Sequence, residues 1–165
     1  MISKETLKQI VMMQYLSDDM LDELLPITEL LQYDEKEFIF HQGDKADRYF
    51  FLLQGKVLLE QRISSRITVS LSAIKPGYSI GWSAMLDGDA YTTDAICAEP
   101  GQLLSYRVEK LKALLDKNLA MGYIMSQRLL RVIKKRYDIR TEQFIKVIKH
   151  HPEIGSLLQQ ENDDI

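Results

Sequence analysis

The residues best placed to do chemistry sit in one stretch, Gly77-Tyr78-Ser79-Ile80-Gly81-Trp82-Ser83-Ala84-Met85-Leu86-Asp87-Gly88-Asp89-Ala90-Tyr91-Thr92-Thr93-Asp94-Ala95. Two glycines lead into a short helical turn from Trp82 to Leu86. A turn at Asp87-Gly88-Asp89 then feeds a Thr-rich extended segment. A helix that begins just after a glycine presents free backbone N–H groups and the positive end of a dipole. That arrangement suits an anion.

Other chemistries lack their residues. The histidines are His41, His150 and His151. His41 falls at a strand-to-turn position and the other two at the end of a long helical pattern. They do not converge as an oxygenase metal site requires. No Ser/His/Asp arrangement, Gly-Lys phosphate loop or zinc spacing is present. The single cysteine, Cys97, excludes an internal disulfide and fits a reducing cytoplasm. In an apolar strand pattern it reads as a small buried hydrophobe. No apolar run reaches the ~20 residues that cross a bilayer, and the N-terminus has no secretory-signal pattern.

The elements around the stretch follow from periodicity. Leu7, Ile10, Val11 and Tyr15 have helical spacing over residues 4–15. Ser17-Asp18-Asp19 is an N-cap cluster ahead of Met20, Leu21, Leu24 and Leu25, and Pro26 stops that second helix. Phe38-Ile39-Phe40 is a short strand, and Gln42-Gly43-Asp44 a turn. Tyr49-Phe50-Phe51-Leu52-Leu53 reads as a strand buried on both faces. Gln54-Gly55-Lys56 turns it into Val57-Leu58-Leu59. Beyond a turn at Ser64-Ser65, Ile67, Val69, Leu71 and Ala73 alternate with Thr68, Ser70 and Ser72, the pattern of a half-buried strand. Further strands fall at residues 91–98 and 103–108, separated by Pro100-Gly101.

Residues 108–151 contain no proline, and their only glycine is Gly122. Tyr123, Ser126, Leu130, Ile133, Tyr137, Arg140, Phe144 and Val147 recur at alternating spacings of three and four. That is a heptad seam with Ser126 and Arg140 as polar interruptions. A helix this long cannot bury its stripe alone, so a parallel helix from a second copy is expected. Its first turns are expected to pack on the barrel as well. Pro152 ends it. Ile154, Leu157 and Leu158 mark a further short turn, and Glu161-Asn162-Asp163-Asp164 a frayed tail.

The charge is uneven. From Arg128 to Lys149 eight basic residues face only Asp138 and Glu142, a net +6 that leaves −9 elsewhere in a chain of net −3. Most of this is expected to be a solvated helix face.

Phe40-His41-Gln42-Gly43-Asp44-Lys45-Ala46-Asp47, followed by Tyr49-Phe50-Phe51-Leu52-Leu53-Gln54-Gly55-Lys56-Val57, resembles the second to fourth strands of the cyclic-nucleotide-binding domain. The resemblance is nearest to the effector domain of the bacterial catabolite-activator and fumarate/nitrate-reduction regulator superfamily. Pro76-Gly77, Ile80-Gly81 and the short helix fall where that family has its phosphate-binding cassette. The resemblance implies a mainly β fold with flanking helices, a double-stranded β-helix or jelly-roll barrel followed by a long dimerisation helix. N-terminal helices would occupy residues 1–26, the barrel 27–108, the long helix region 109–151, and a short helix and tail 152–165.

The chain departs from the family where the ligand is gripped. The family's cassette glutamate, which holds the ribose hydroxyl, is replaced by Trp82. Its phosphate-pairing arginine aligns with Thr92, or with Tyr91 if the gap shifts. An Arg–phosphate pair is charge-assisted and bidentate, so its absence removes the strongest contact. The N–H groups of Ser83, Ala84 and Met85 would still face an anion, and the hydroxyls of Thr92 and Thr93 could donate to it. Trp82 and Tyr91 could stack on a planar ring. Arg131, Lys135 and Arg136 align with positions that reach the base in the catabolite-activator branch and could supply the missing charge.

The expectation is a non-catalytic, cytoplasmic regulatory module. It binds a small anion, cyclic AMP, cyclic GMP or another, between barrel and long helix, and signals through a homodimer to a possible protein partner. The alternative is a structural or protein-interaction dimer whose pocket Trp82 plugs. About 15 residues follow His150, too few for a helix-turn-helix, so this chain alone is not expected to bind DNA.

Overall fold

The computed structural model describes residues 2–86 and 89–155. The expected turn residues Asp87 and Gly88, the pair Leu157 and Leu158, and the tail 161–164 lie outside the described residues. The chain divides into two compact units, the first ending at Ser126 and the second beginning at Gln127. This boundary falls within the long helix rather than ahead of it.

In the first unit, Ser3 caps α1 (Lys4–Leu7) and Ser17 caps α2 (Asp18–Leu24), each hydroxyl accepting an N–H of the first turn. The expected single helix over residues 4–15 is instead α1 followed by a 3-10 turn, Val11–Tyr15. The strands are β1 (Glu29–Tyr33), β2 (Phe38–Phe40), β3 (Arg48–Arg62), β4 (Thr68–Ile74), β5 (Ser79–Ile80) and β6 (Asp94–Arg107). They form an antiparallel six-stranded sheet in the order β1-β6-β3-β4, with β2 added to β6 and β5 to β3. The ladder is not closed by hydrogen bonds. The two long central strands bend at register irregularities.

Those bends correct the sequence reading. Gln54-Gly55-Lys56 and Pro100-Gly101 were expected to be turns, yet each lies inside one continuous strand, β3 and β6 respectively. The β3–β6 register shifts at Leu52/Gln54, Gln54/Lys56 and Lys56/Val57, so the glycines serve as bulges. Gly55 has φ +89°, and a Cβ there would lie 2.5 Å from the Pro100 carbonyl oxygen. Gly43 has a similar φ of +91°, with nothing within 4 Å of its Cβ position. Gly55→Ala should therefore cost about 3 kcal/mol and Gly43→Ala about 1. Urea denaturation of the two variants checks the difference. Equal losses would mean that backbone conformation, and not the β3–β6 approach, sets the requirement.

β4 also differs from expectation. Its register against β3 slips between Leu59 and Glu60. The slip breaks the alternation, and Ile67 and Val69 are exposed.

The core follows the two-residue period of β3. Phe50, Leu52, Val57 and Leu59 enter one apolar cluster with Phe40, Ile80, Ala84, Tyr91, Ala95, Cys97 and Leu103. Cys97 is buried, as its strand context predicts, and desolvation raises its thiol pKa. Tyr49 and Phe51 point the other way, where Phe51 meets Tyr106 edge-on at 5.6 Å. The Thr28 hydroxyl donates to the Tyr106 oxygen at 3.0 Å, and the Tyr106 hydroxyl donates to Met13 Sδ at 4.0 Å. The N-terminal segment is thereby tied to the sheet.

The expected helix from residue 108 is two helices, α3 (Val108–Lys117) and α4 (Leu119–Lys149). Asn118 breaks them with φ −112° and ψ 84°. Its side-chain oxygen caps α4 through Met121 N–H at 3.1 Å, and its amide donates to Glu23 at 2.9 Å. A Cβ on Gly122 would lie 2.9 Å from the Leu115 carbonyl oxygen, so glycine permits the close turn. Met121 and Met125 are buried, which agrees with packing of the first turns of α4.

Candidate functional site

Gly81 opens the cassette in the left-handed conformation, φ 76° and ψ 27°. A Cβ there would lie 3.1 Å from the Tyr91 ring and 3.2 Å from the Arg48 carbonyl. One 3-10 turn follows, Trp82–Met85. Ser83 and Ala84 are buried, while Trp82 and Met85 are half-buried. The Ala84 N–H donates to the Gly81 carbonyl at 3.0 Å, so this expected anion donor is spent inside the turn. A 3-10 turn of four residues also carries only a small dipole. These two facts reduce the anion field that the sequence pattern promised.

Tyr91 has a different place from the one expected. It was expected to stack on a ligand ring. Its ring instead stacks on Phe40, with centroids 3.8 Å apart and planes 15° apart. Its hydroxyl donates to the Arg48 carbonyl at 2.7 Å and accepts the Arg48 N–H at 3.1 Å. Both polar functions are satisfied within the protein, and burial pushes the phenol pKa up to about 12. Tyr91 is a strut that holds β3, β2 and Gly81 together.

The segment leaving the cassette is clamped by the turn after β2. Gly43 N–H donates to the Tyr91 carbonyl at 2.8 Å, and Tyr91 N–H to the Asp44 carbonyl at 2.9 Å. Gln42 N–H donates to Asp94 Oδ1 at 2.7 Å. The Asp94 carboxylate is buried, with His41 Nδ1 at 3.6 Å and Arg62 Nη2 at 3.9 Å. The sequence reading missed Asp94. Its only signal was a lone acid at the start of an apolar strand. Thr92 is exposed and Thr93 half-buried at the outer end of this clamp. Val108 N–H donates to the Asp47 carbonyl at 2.9 Å, so α3 begins from the same clamp.

Gly81, Trp82, Ser83, Ala84, Met85, Tyr91, Thr92 and Thr93 all belong to the first unit, where the Tyr91 ring stands against Gly81. Arg131, Lys135 and Arg136 belong to the second unit; the first two are exposed and Arg136 is half-buried. The seam residues lie along α4. Tyr123, Leu130, Tyr137, Phe144 and Val147 are 57–72% exposed. Ser126 and Arg140 are exposed as well, and Ile133 is half-buried. In the second unit a shallow concavity of about 650 Å³, lined by Lys146, Val147, His150 and His151 among others, contains no cassette residue. Among the described residues, no three His, Cys, Asp or Glu side chains gather as for a metal ion. Among the same residues, no helix is long and apolar enough to cross a membrane.

The antiparallel sheet carries a glycine-opened cassette between β5 and β6 and is followed by the long helix α4. The profile of the cyclic nucleotide-binding domain matches residues 30–118, more than half of the chain. The chain belongs to the cyclic nucleotide-binding domain family. It is 27% identical over 135 residues to the global nitrogen regulator of Nostoc sp., covering 81% of this chain and 57% of that protein. The chain therefore spans little more than half the length of that relative. A cyclic nucleotide-binding domain from Methylobacillus flagellatus has the same fold, with TM-score 0.77, 18% identity, and coverage of 90% of this chain and 83% of that one. So does the sensor domain of the transcriptional regulator DNR from Pseudomonas aeruginosa, with TM-score 0.68, 21% identity, and coverage of 82% and 91%.

Proposed function

We propose that this chain is a non-catalytic sensor that binds a small anionic ligand at the cassette and signals as a homodimer through α4. The observation that carries this is the construction of the cassette. Five hydrogen bonds join the segment after it, at Tyr91 and Asp94, to Gln42, Gly43, Asp44 and Arg48, and the Tyr91 ring stands against Gly81. Trp82 is half-exposed, which favours a ring available to a ligand over a plug. The ligand class is a cyclic nucleotide, cyclic AMP or cyclic GMP, or another compact anion with a planar ring. Thr92, Thr93 and the N–H of Ser83 donate to its charged end.

The homodimer rests on the exposed heptad stripe, whose 3.5-residue period is that of a two-stranded coil. A protein partner reads the dimer. A second reading is a dimer with a vestigial pocket. The observations that favour it are the uncharged Trp82 and Thr92 and the committed hydroxyl of Tyr91.

Thermal unfolding with cyclic AMP or cyclic GMP separates the two. A ligand at a hundred times its Kd should raise the midpoint by roughly 5–10 °C. Thr92→Val should cut that affinity about threefold or more, since it removes a hydroxyl donor to the ligand. The ligand-free midpoint should stay unchanged, because Thr92 is exposed. An equal shift in both proteins removes Thr92 from the site. No shift in either supports the vestigial pocket.

A further inference from the structure

The heptad stripe has one charged position, which costs a two-stranded coil stability. Arg140 is exposed and falls on the seam between the aromatic layers of Tyr137 and Phe144. In a parallel pair of copies the two Arg140 side chains meet at the same level. The positions that flank the seam around them are Lys134, Arg136, Thr141 and Gln143, and none is acidic. Of the nearby acids, Asp138 is held by Lys134 on the same helix at 2.7 Å, and Glu142 falls on the face opposite the seam. The charged layer at Arg140 therefore has no carboxylate at the positions that flank it on the seam.

We infer that two copies of α4 hold a multiply charged oxyanion, of the phosphate or sulfate type, between their Arg140 guanidinium groups. This rests on the homodimer proposed above, since a single copy supplies only half of the site. Guanidinium groups present planar pairs of donors that match oxyanion geometry. Aromatic layers above and below stack on guanidinium planes and keep water out. The anion turns a repulsive layer into an attractive one, so dimerisation reports its presence. A simple hydrophobic layer would have given a tighter dimer with no such dependence.

The test is sedimentation equilibrium of the full chain in sodium chloride and in sodium phosphate at matched ionic strength, for wild type and Arg140→Leu. Phosphate should tighten the wild-type dimer by about tenfold or more, as expected for paired guanidinium contacts. Arg140→Leu should dimerise about tenfold more tightly than wild type in chloride and ignore phosphate. A wild-type dimer indifferent to phosphate, beside a tighter Arg140→Leu dimer, overturns the anion site and leaves the homodimer standing. A phosphate response that survives in Arg140→Leu also overturns it, because the anion then binds elsewhere. Monomers throughout, Arg140→Leu included, would overturn the homodimer itself and the anion site with it.

Discussion

A Tyr91→Ala variant should be about 3–5 kcal/mol less stable than wild type, the usual loss for a buried aromatic, and should show no ligand response. Tyr91 is 4% exposed and touches three structures at once. Its ring stacks on Phe40 of β2, its hydroxyl spans the Arg48 backbone at the start of β3, and its edge lies against Gly81. Truncation leaves a cavity beside the cassette and frees the glycine turn from its wall. Tyr91→Phe keeps the stack and loses only the two hydrogen bonds to Arg48, at a cost of about 1–3 kcal/mol. Denaturant titrations of both variants check the ranking. A Tyr91→Ala protein within 1 kcal/mol of wild type would show that the cassette is held by other contacts.

The second large effect is on assembly. Leu130→Lys should weaken the dimer at least about a hundredfold, because two buried leucines contribute roughly 3 kcal/mol or more at such a seam. The new lysines would also join a stretch that already carries Arg128, Arg131, Lys134 and Lys135. Leu130 is 57% exposed in the single chain, so the fold of each copy should be unchanged. Analytical ultracentrifugation should find monomer at concentrations where wild type is dimeric, with matching circular dichroism. A dimer of unchanged strength would place the interface on another surface.

Much of this architecture was legible because it depends on local chemistry. Ser17 caps α2 as its type and position predict. Tyr123, Leu130, Tyr137, Phe144 and Val147 lie on one helix, α4, as their spacing of three and four predicts. The failures share a cause, which is that the deciding partner is distant in sequence. Gly55 and Pro100-Gly101 look like turn punctuation, yet they approach each other across a ladder and bend it. Asn118 is unremarkable within a helical pattern until its amide reaches Glu23 on α2. Tyr91 offers a stacking ring to any reader of the sequence. Only the placement of Phe40 and Arg48 reveals that the ring and the hydroxyl are already taken. Asp94 is one acid among many until it is found buried under the Gln42 N–H.

The central claim is that the cassette takes a small anionic ligand. Its most direct test is calorimetric titration of the full chain with cyclic AMP and then cyclic GMP, after unfolding and refolding to remove any carried ligand. Saturable heat is expected with one of them at micromolar affinity, lost in Tyr91→Ala and weakened in Thr92→Val. A correctly refolded protein that gives no heat with either nucleotide would contradict the nucleotide-sensor reading and leave a dimer with a vestigial pocket.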